Sequence, residues 1–156
     1  MNQNLPFEVL RQLRAQGRTL ATAESCTGGL IGKLLTDVPG SSEVYMGGVI
    51  SYTNGVKHWL LGVSEDTLRV YTAVSRQTAH EMARGAREAV RADVGVSVTG
   101  LAGPDGDGTG RPIGLVYIGI DMEGFSFSQE LHLTGDRAAI REQAAEAVLN
   151  LILEYA

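Results

Sequence analysis

The sequence predicts an α/β protein, a three-layer α/β/α sandwich on a mixed, mostly parallel sheet of about five strands. Three observations predict it. Short β-rich runs alternate along the chain with amphipathic helical segments. The first run, Leu20 to Ala23, passes through the polar, glycine-bearing turn Glu24-Ser25-Cys26-Thr27-Gly28-Gly29 into an apolar periodic segment. Near the other end, a tight Glu123-Gly124 turn joins two β-rich runs as a hairpin.

Taken in order, Asn4 and Pro6 open a helix with Leu5, Val9, Leu10 and Leu13 on one side, and Gly17 stops it. The first strand and a helix from about Gly28 to Asp37 follow, closed by Pro39-Gly40. Residues Glu43 to Thr53 form a second β run whose Gly47-Gly48 pair predicts a bulge or a close backbone approach. Asn54-Gly55 turns the chain into a short helix, Val56 to Leu61, stopped by Gly62, and Ser64-Glu65-Asp66 caps another short piece. Ser75 to Ala92 is the clearest long helix, capped by Ser75, with Ala79, Met82, Ala83, Ala86 and Val90 as its apolar stripe. Val94 to Val98, Ile113 to Asp121 and Phe125 to Leu133 are the remaining strands, and Asp136 caps a last helix from Arg137 to about Tyr155. No repeat or linker divides residues 1–156, so one domain is expected, with the loop Gly100 to Gly114 inside it.

The bulk numbers exclude several classes. Hydrophobic residues are 44% and charged residues 20%, an ordinary globular balance that argues against disorder. A net charge of -5 without a basic cluster gives no footprint for a nucleic acid. No apolar run approaches the ~20 residues that cross a bilayer, so no membrane association is expected. Cys26 is the single cysteine, and the first residues lack a basic and apolar leader pattern; a cytoplasmic location is the expectation. The alanine-rich stripe, with the general frequency of symmetric assemblies, points to a homo-oligomer.

Ser25 lies where a strand feeds a helix, so its hydroxyl can face a crevice near the amides of Thr27, Gly28 and Gly29, which could stabilise an oxyanion. The commoner use of such a serine, or of Thr27, is as a helix cap. A nucleophile needs a base, and the three histidines His58, His80 and His132 lie in unrelated contexts. Lys57 follows the second strand end and would open onto the same edge as Ser25 if the two strands are parallel neighbours, and Ser-Lys pairs are an established variant of triad chemistry. The bland alternative is a solvated helix lysine. Cys26 is a competing nucleophile, although side chains of adjacent residues diverge.

Two phosphate and metal patterns fail. The run Thr27 to Leu34 lacks the first glycine and the final hydroxyl of a P-loop, and Val116 stands where the Asp105 to Gly110 loop would need the bidentate Glu of a calcium site. Neither a metal nor a cofactor is expected. For an anionic group the sequence leaves Arg137 at a helix start, or Arg141 one turn on, with Thr99 and Gly100 on a strand-end loop.

The segments AESCTGGLIGKLLTDVPGSSEVYMGGVISYTNGVKHWLLGV, AVSRQTAHEMARGAR, SVTGLAGPDG, RPIGLVYIGI and GDRAAIREQA together resemble, in order, the CinA C-terminal domain family of nicotinamide-nucleotide amidohydrolases. The resemblance implies metal-free hydrolysis of the carboxamide of nicotinamide mononucleotide to nicotinate mononucleotide and ammonia. It makes Ser25 the nucleophile and Lys57 its partner. Beside that pair, Tyr52 and Thr99 are expected to orient the amide or the lysine amine, Gly28 and Gly29 to hold the oxyanion, and Arg137 to hold the 5′-phosphate. The chain departs from the family's pattern at Thr72, where glycine is frequent, and at Asp105 and Asp107, two acidic residues that would repel a phosphate. The altered loop motivates the alternative of a nucleotide-binding or regulatory module without chemistry. The N-terminal nucleotide-hydrolysing domain often present in the family has no counterpart in this sequence.

Overall fold

A computed structural model describes residues 1–156. Its helices are α1 (Leu5–Ala15), α2 (Leu30–Thr36), α3 (Asn54–Leu61), α4 (Glu65–Tyr71), α5 (Arg76–Val90) and α6 (Arg137–Tyr155). The strands are β1 (Leu20–Glu24), β2 (Tyr45–Ile50), β3 (Val94–Gly100), β4 (Leu115–Met122) and β5 (Phe125–His132). They form one sheet in the order β2-β1-β3-β4-β5. β1 pairs in parallel with both β2 and β3, while β4 pairs antiparallel with β3 and β5, so β4 alone runs against the others. This is the mixed, mostly parallel α/β sandwich that the alternation of runs predicts.

The period of two along β1 sorts its residues between the layers. Leu20 packs with α1, α2 and α6 in the larger apolar cluster, together with Val96 and Val98 of β3. Ala21 and Ala23 face the other way, onto Met82 and Ala86 of α5 and Leu61 at the end of α3. Small residues let α5 lie close. A Cβ at Gly95 would run into the Ala83 carbonyl, and one at Gly85 into the Leu61 backbone. The second contact matters for the site, because it seats α3 against α5 and so fixes the helix that carries Lys57.

Local signals fare unevenly. Ser64, Ser75 and Asp136 cap their helices as expected, accepting from Thr67, Thr78 and Ala139 amides respectively. Asn4 does not: its side chain makes no cap bond, and its own amide donates to Asn2 instead. The bulge falls beside the Gly47-Gly48 pair, with Met46 as the unpaired residue, and Gly48 is the close approach. The register slips between Leu20 and Ala21, and a Cβ at Gly48 would strike the Thr22 hydroxyl. α2 begins at Leu30 rather than near Gly28, because Gly28 and Gly29 adopt left-handed φ values of 60° and 105° and belong to the turn. On α3 the indole of Trp59 is 77% exposed and lies over Gly55.

Candidate active site

The carboxyl ends of β1 and β2 lie side by side. The Ser51 amide donates to the Glu24 carbonyl at 2.8 Å, and the Ser25 amide continues the sheet toward Val98 at 3.0 Å. Beyond Ser51, Thr53 leaves the strand in an extended conformation and caps α3 by accepting from the Val56 amide. Lys57 therefore falls in the first turns of α3, and its side chain runs back toward the strand ends. It is 1% exposed. Its Nζ stands 2.9 Å from Ser25 Oγ and donates to the Ser51 carbonyl at 2.7 Å. Burial disfavours its charged form and lowers its pKa from 10.5 to about 8, against an opposing influence of Cys26.

Ser25 and Lys57 open onto a cleft of about 230 Å³ that Tyr52, Thr99, Gly100 and Arg137 also line. None of the three histidines lines it. Cys26 touches this cleft, but its thiol belongs to the apolar cluster on the opposite side of the sheet. Burial pushes that thiol up to about 11. A thiol so held is protonated at neutral pH, which separates the two neighbouring candidates in favour of Ser25.

The sequence reading of the oxyanion amides is corrected. Glu24 and Ser25 are consecutive on a strand, so the Glu24 carboxylate lies on the other face, under α2. There it accepts from the Thr27 hydroxyl at 2.7 Å and from the amides of Gly29, Ile31 and Gly32 at 3.2, 2.9 and 3.0 Å. The start of α2 is filled by the chain's own anion. The Gly28 amide is also engaged, donating to the Ser25 carbonyl at 3.0 Å, and Thr27 is completely buried. Gly28 and Gly29 therefore offer no amide to the cleft, while the Thr27 amide has no acceptor within the chain but belongs to a fully buried residue that does not line the cleft. The amide of Cys26 is the one offered: it has no acceptor within the chain, and Cys26 lines the cleft directly after Ser25.

Three other expectations are refined. Tyr52 does not reach Lys57; it is 58% exposed on the rim, and its hydroxyl accepts from Arg137 at 3.0 Å. The Ser51 carbonyl, not Tyr52, holds the Lys57 amine, which leaves Tyr52 only the expected role toward the amide. Thr99 donates its hydroxyl proton to the Ala73 carbonyl at 2.7 Å, leaving lone pairs for a donor in the cleft. Gly100 leaves the wall as bare backbone, since a Cβ would strike Val116 and the Leu115 carbonyl. Arg137 also donates to the Gly103 carbonyl at 2.5 Å, which fixes its guanidinium at the cleft. The helix-start amides expected to assist it are not all free, because Asp136 accepts from the Ala139 amide at 2.9 Å. Asp107 lines the cleft as well, so the acidic loop faces the site rather than turning away.

Sequence reasoning missed Glu24, Ser51 and the brace supplied by Arg141. For Glu24 the signal was present in the strand's alternation. Arg141 donates from α6 to the carbonyls of Cys26 and Thr27, both at 3.0 Å, across 115 and 114 residues of sequence. No local pattern announces such a contact.

A serine hydroxyl held by a buried lysine, at the carboxyl ends of parallel strands in an α/β/α sandwich, defines the class of site. Comparison with known proteins supplies the family. The CinA C-terminal domain family matches residues 2–156, and the chain belongs to that family. It is 49% identical over 142 residues to the nicotinamide-nucleotide amidohydrolase PncC of Enterobacter agglomerans, covering 90% of this chain and 87% of that protein. The crystal structure of a competence-damaged protein (CinA) superfamily protein from Escherichia coli superposes with a TM-score of 0.96 at 34% identity, covering 99% of this chain and 90% of that one. The competence/damage inducible protein CihA from Agrobacterium tumefaciens gives 0.94 at 38% identity, covering 97% and 93%. Other relatives are longer. The chain spans 37% of the Halothermothrix orenii relative and 36% of the Caldanaerobacter subterraneus one, at 45% and 44% identity.

Proposed function

We propose that this chain hydrolyses the carboxamide of nicotinamide mononucleotide to nicotinate mononucleotide and ammonia, with Ser25 as nucleophile and Lys57 as base. The single observation that carries this is the buried Lys57 amine 2.9 Å from Ser25 Oγ, with its pKa lowered to about 8. The name of the Enterobacter agglomerans relative supports the substrate.

Neutral Lys57 takes the proton of Ser25 as Oγ attacks the amide carbon, giving a tetrahedral intermediate whose oxygen carries the charge. The Cys26 amide is the donor available to that oxygen, and mutagenesis elsewhere values such a donor at about 3 kcal/mol. Collapse breaks the C–N bond. Protonated Lys57 gives its proton to the departing nitrogen, which leaves as ammonia. A water then attacks the Ser25 ester, Lys57 accepts its proton and returns it to Ser25 Oγ, and the carboxylate product departs.

Thr99, with its own proton committed to Ala73, accepts from the amide NH2 and so orients it. Arg137 holds the 5′-phosphate at the rim, and Asp107 in the same cleft limits how much anion the site accepts. Homo-oligomer formation in the cytoplasm belongs to the same proposal, supported by the exposed apolar side chains of Trp59, Leu60, Val70 and Tyr71. Purified protein mixed with nicotinamide mononucleotide is expected to release ammonia, and Ser25→Ala to release none. Equal release by the two proteins sinks the nucleophile; tight binding without turnover by the wild type replaces the enzyme with a binding module.

A further inference from the structure

We infer that Arg141 is a positioning residue for the oxyanion donor, holding from behind the backbone that carries Ser25 and the Cys26 amide. The inference rests on the proposed serine chemistry and adds a residue from the far end of the chain to it. Its starting point is an unusual set of partners. Arg141 is half-buried, forms no ion pair with any carboxylate, and spends its guanidinium on two consecutive backbone carbonyls, those of Cys26 through Nε and Thr27 through Nη2.

The geometry of the peptide unit gives those bonds a consequence. In a trans peptide the C=O and the N–H point in opposite directions, so fixing one fixes the other. The peptide before Cys26 is held at its carbonyl, because Ser25 accepts from the Gly28 amide at 3.0 Å. The peptide after Cys26 is held at its carbonyl by Arg141 Nε at 3.0 Å. Both planes that meet at the Cys26 Cα are therefore fixed, and the Cys26 N–H, directed opposite to the Ser25 carbonyl, is left without an acceptor in the chain. Gly28 can serve this turn only with its left-handed φ of 60°, and a Cβ there would also approach Arg141 Nη2 to 3.3 Å. The glycine leaves room for the brace.

The brace also carries charge. The Arg141 guanidinium, held on the Cys26 and Thr27 carbonyls, sets a half-buried cation behind the turn, and that charge favours the negative oxygen of the intermediate in a place where water does not screen it fully. The substrate's neutral carbonyl gains much less from that field. The expected signature is a loss in kcat with KM nearly constant.

Arg141→Met and Arg141→Lys test this in the full chain, by ammonia release from nicotinamide mononucleotide together with thermal melting. Arg141→Met is expected to lower kcat about 30-fold with KM within about twofold, and Arg141→Lys to recover part of it. Pyridine-3-boronic acid, which becomes tetrahedral on a serine, supplies a second readout. Its inhibition constant should rise in parallel with the loss in kcat, while binding of intact substrate to the Ser25→Ala, Arg141→Met double variant should match binding to Ser25→Ala. Unchanged kcat, or a raised KM with kcat intact, overturns the inference. If Arg141→Met does not fold, the reading passes to Arg141→Lys: a folded variant with full kcat and full boronate affinity overturns the inference, and a reduced kcat with matched loss of boronate affinity supports it. Wild-type turnover by Ser25→Ala would instead remove the underlying serine chemistry, so the two failures are distinguishable.

Discussion

The two ends of the sheet both carry clefts and both carry charged side chains, yet they are built on opposite terms. At the amino ends of β1 and β3, a cleft of about 350 Å³ is lined by Arg18, Arg87 and Asp93. Arg87 and Asp93 there already have partners within the chain. Arg87 pairs with Asp121 at 2.7 Å, and Asp93 accepts from the amide and hydroxyl of Thr19 at 2.8 and 3.0 Å. At the carboxyl ends the cleft is smaller, and its groups are left with capacity. Lys57 is buried without a carboxylate partner, and the Cys26 amide lacks an acceptor. The size of a cleft is a poor guide to chemistry; unspent hydrogen-bonding and protonation capacity is a better one.

The comparison is broken most severely by Ser25→Ala. Loss of the proposed nucleophile is expected to reduce ammonia release by about 10^4-fold or more, with little change in melting temperature. Residual activity within tenfold of wild type would return the carboxyl-end cleft to the status of its counterpart.

Lys57→Met comes next, at about 10^3-fold in kcat. It carries an opposite effect on stability. The unfolded chain holds the lysine proton up to pH 10.5 and the folded chain only up to about 8, so the unfolded state binds more protons between those values and wild-type stability rises with pH across that window. Below pH 8 the buried charge costs about 3 kcal/mol, so Lys57→Met should melt higher than wild type at pH 7, with the gap closing toward pH 10.5. A lower melting point at pH 7 would show that the lysine's hydrogen bonds outweigh its desolvation. In the wild type, kcat/KM should climb as pH approaches about 8 and level off above it, and a profile flat from pH 6 to 9 would contradict a lysine base.

Arg137→Met is expected to raise KM about tenfold while leaving kcat within about threefold, the pattern of a group that binds substrate and transition state alike. A fall in kcat at constant KM would move Arg137 from binding to chemistry. The smallest effect on activity belongs to the other end of the sheet. Asp121→Asn should cost about 2 kcal/mol through the loss of its half-buried pair with Arg87, and leave kcat/KM within about twofold. A larger loss of activity would mean that the two ends are coupled.

Much of this arrangement is legible in the residues. The alternation of runs gives the sandwich, and two strand ends followed by polar, glycine-bearing turns place Ser25 and Lys57 on one edge. What the sequence does not display is which amides are free. A helix start looks open when read linearly, yet Glu24, one residue before Ser25, folds under α2 and occupies it. The contacts of Arg141 with Cys26 and Thr27 depend on how α6 crosses the sheet, a tertiary fact with no local signature. Tyr52, expected to orient the amide or the lysine amine, instead lies beyond the end of β2 on the rim, where it meets Arg137.

One further feature has an experimental use. The chain contains a single tryptophan, and Trp59 sits on α3, two residues beyond Lys57, with its indole exposed over Gly55. Its emission therefore reports on this helix, and on any contact between copies that covers its exposed face, without labelling or background from other indoles. A ligand that draws α3 against the cleft is expected to change the colour or intensity of that emission, giving an optical titration of site occupancy.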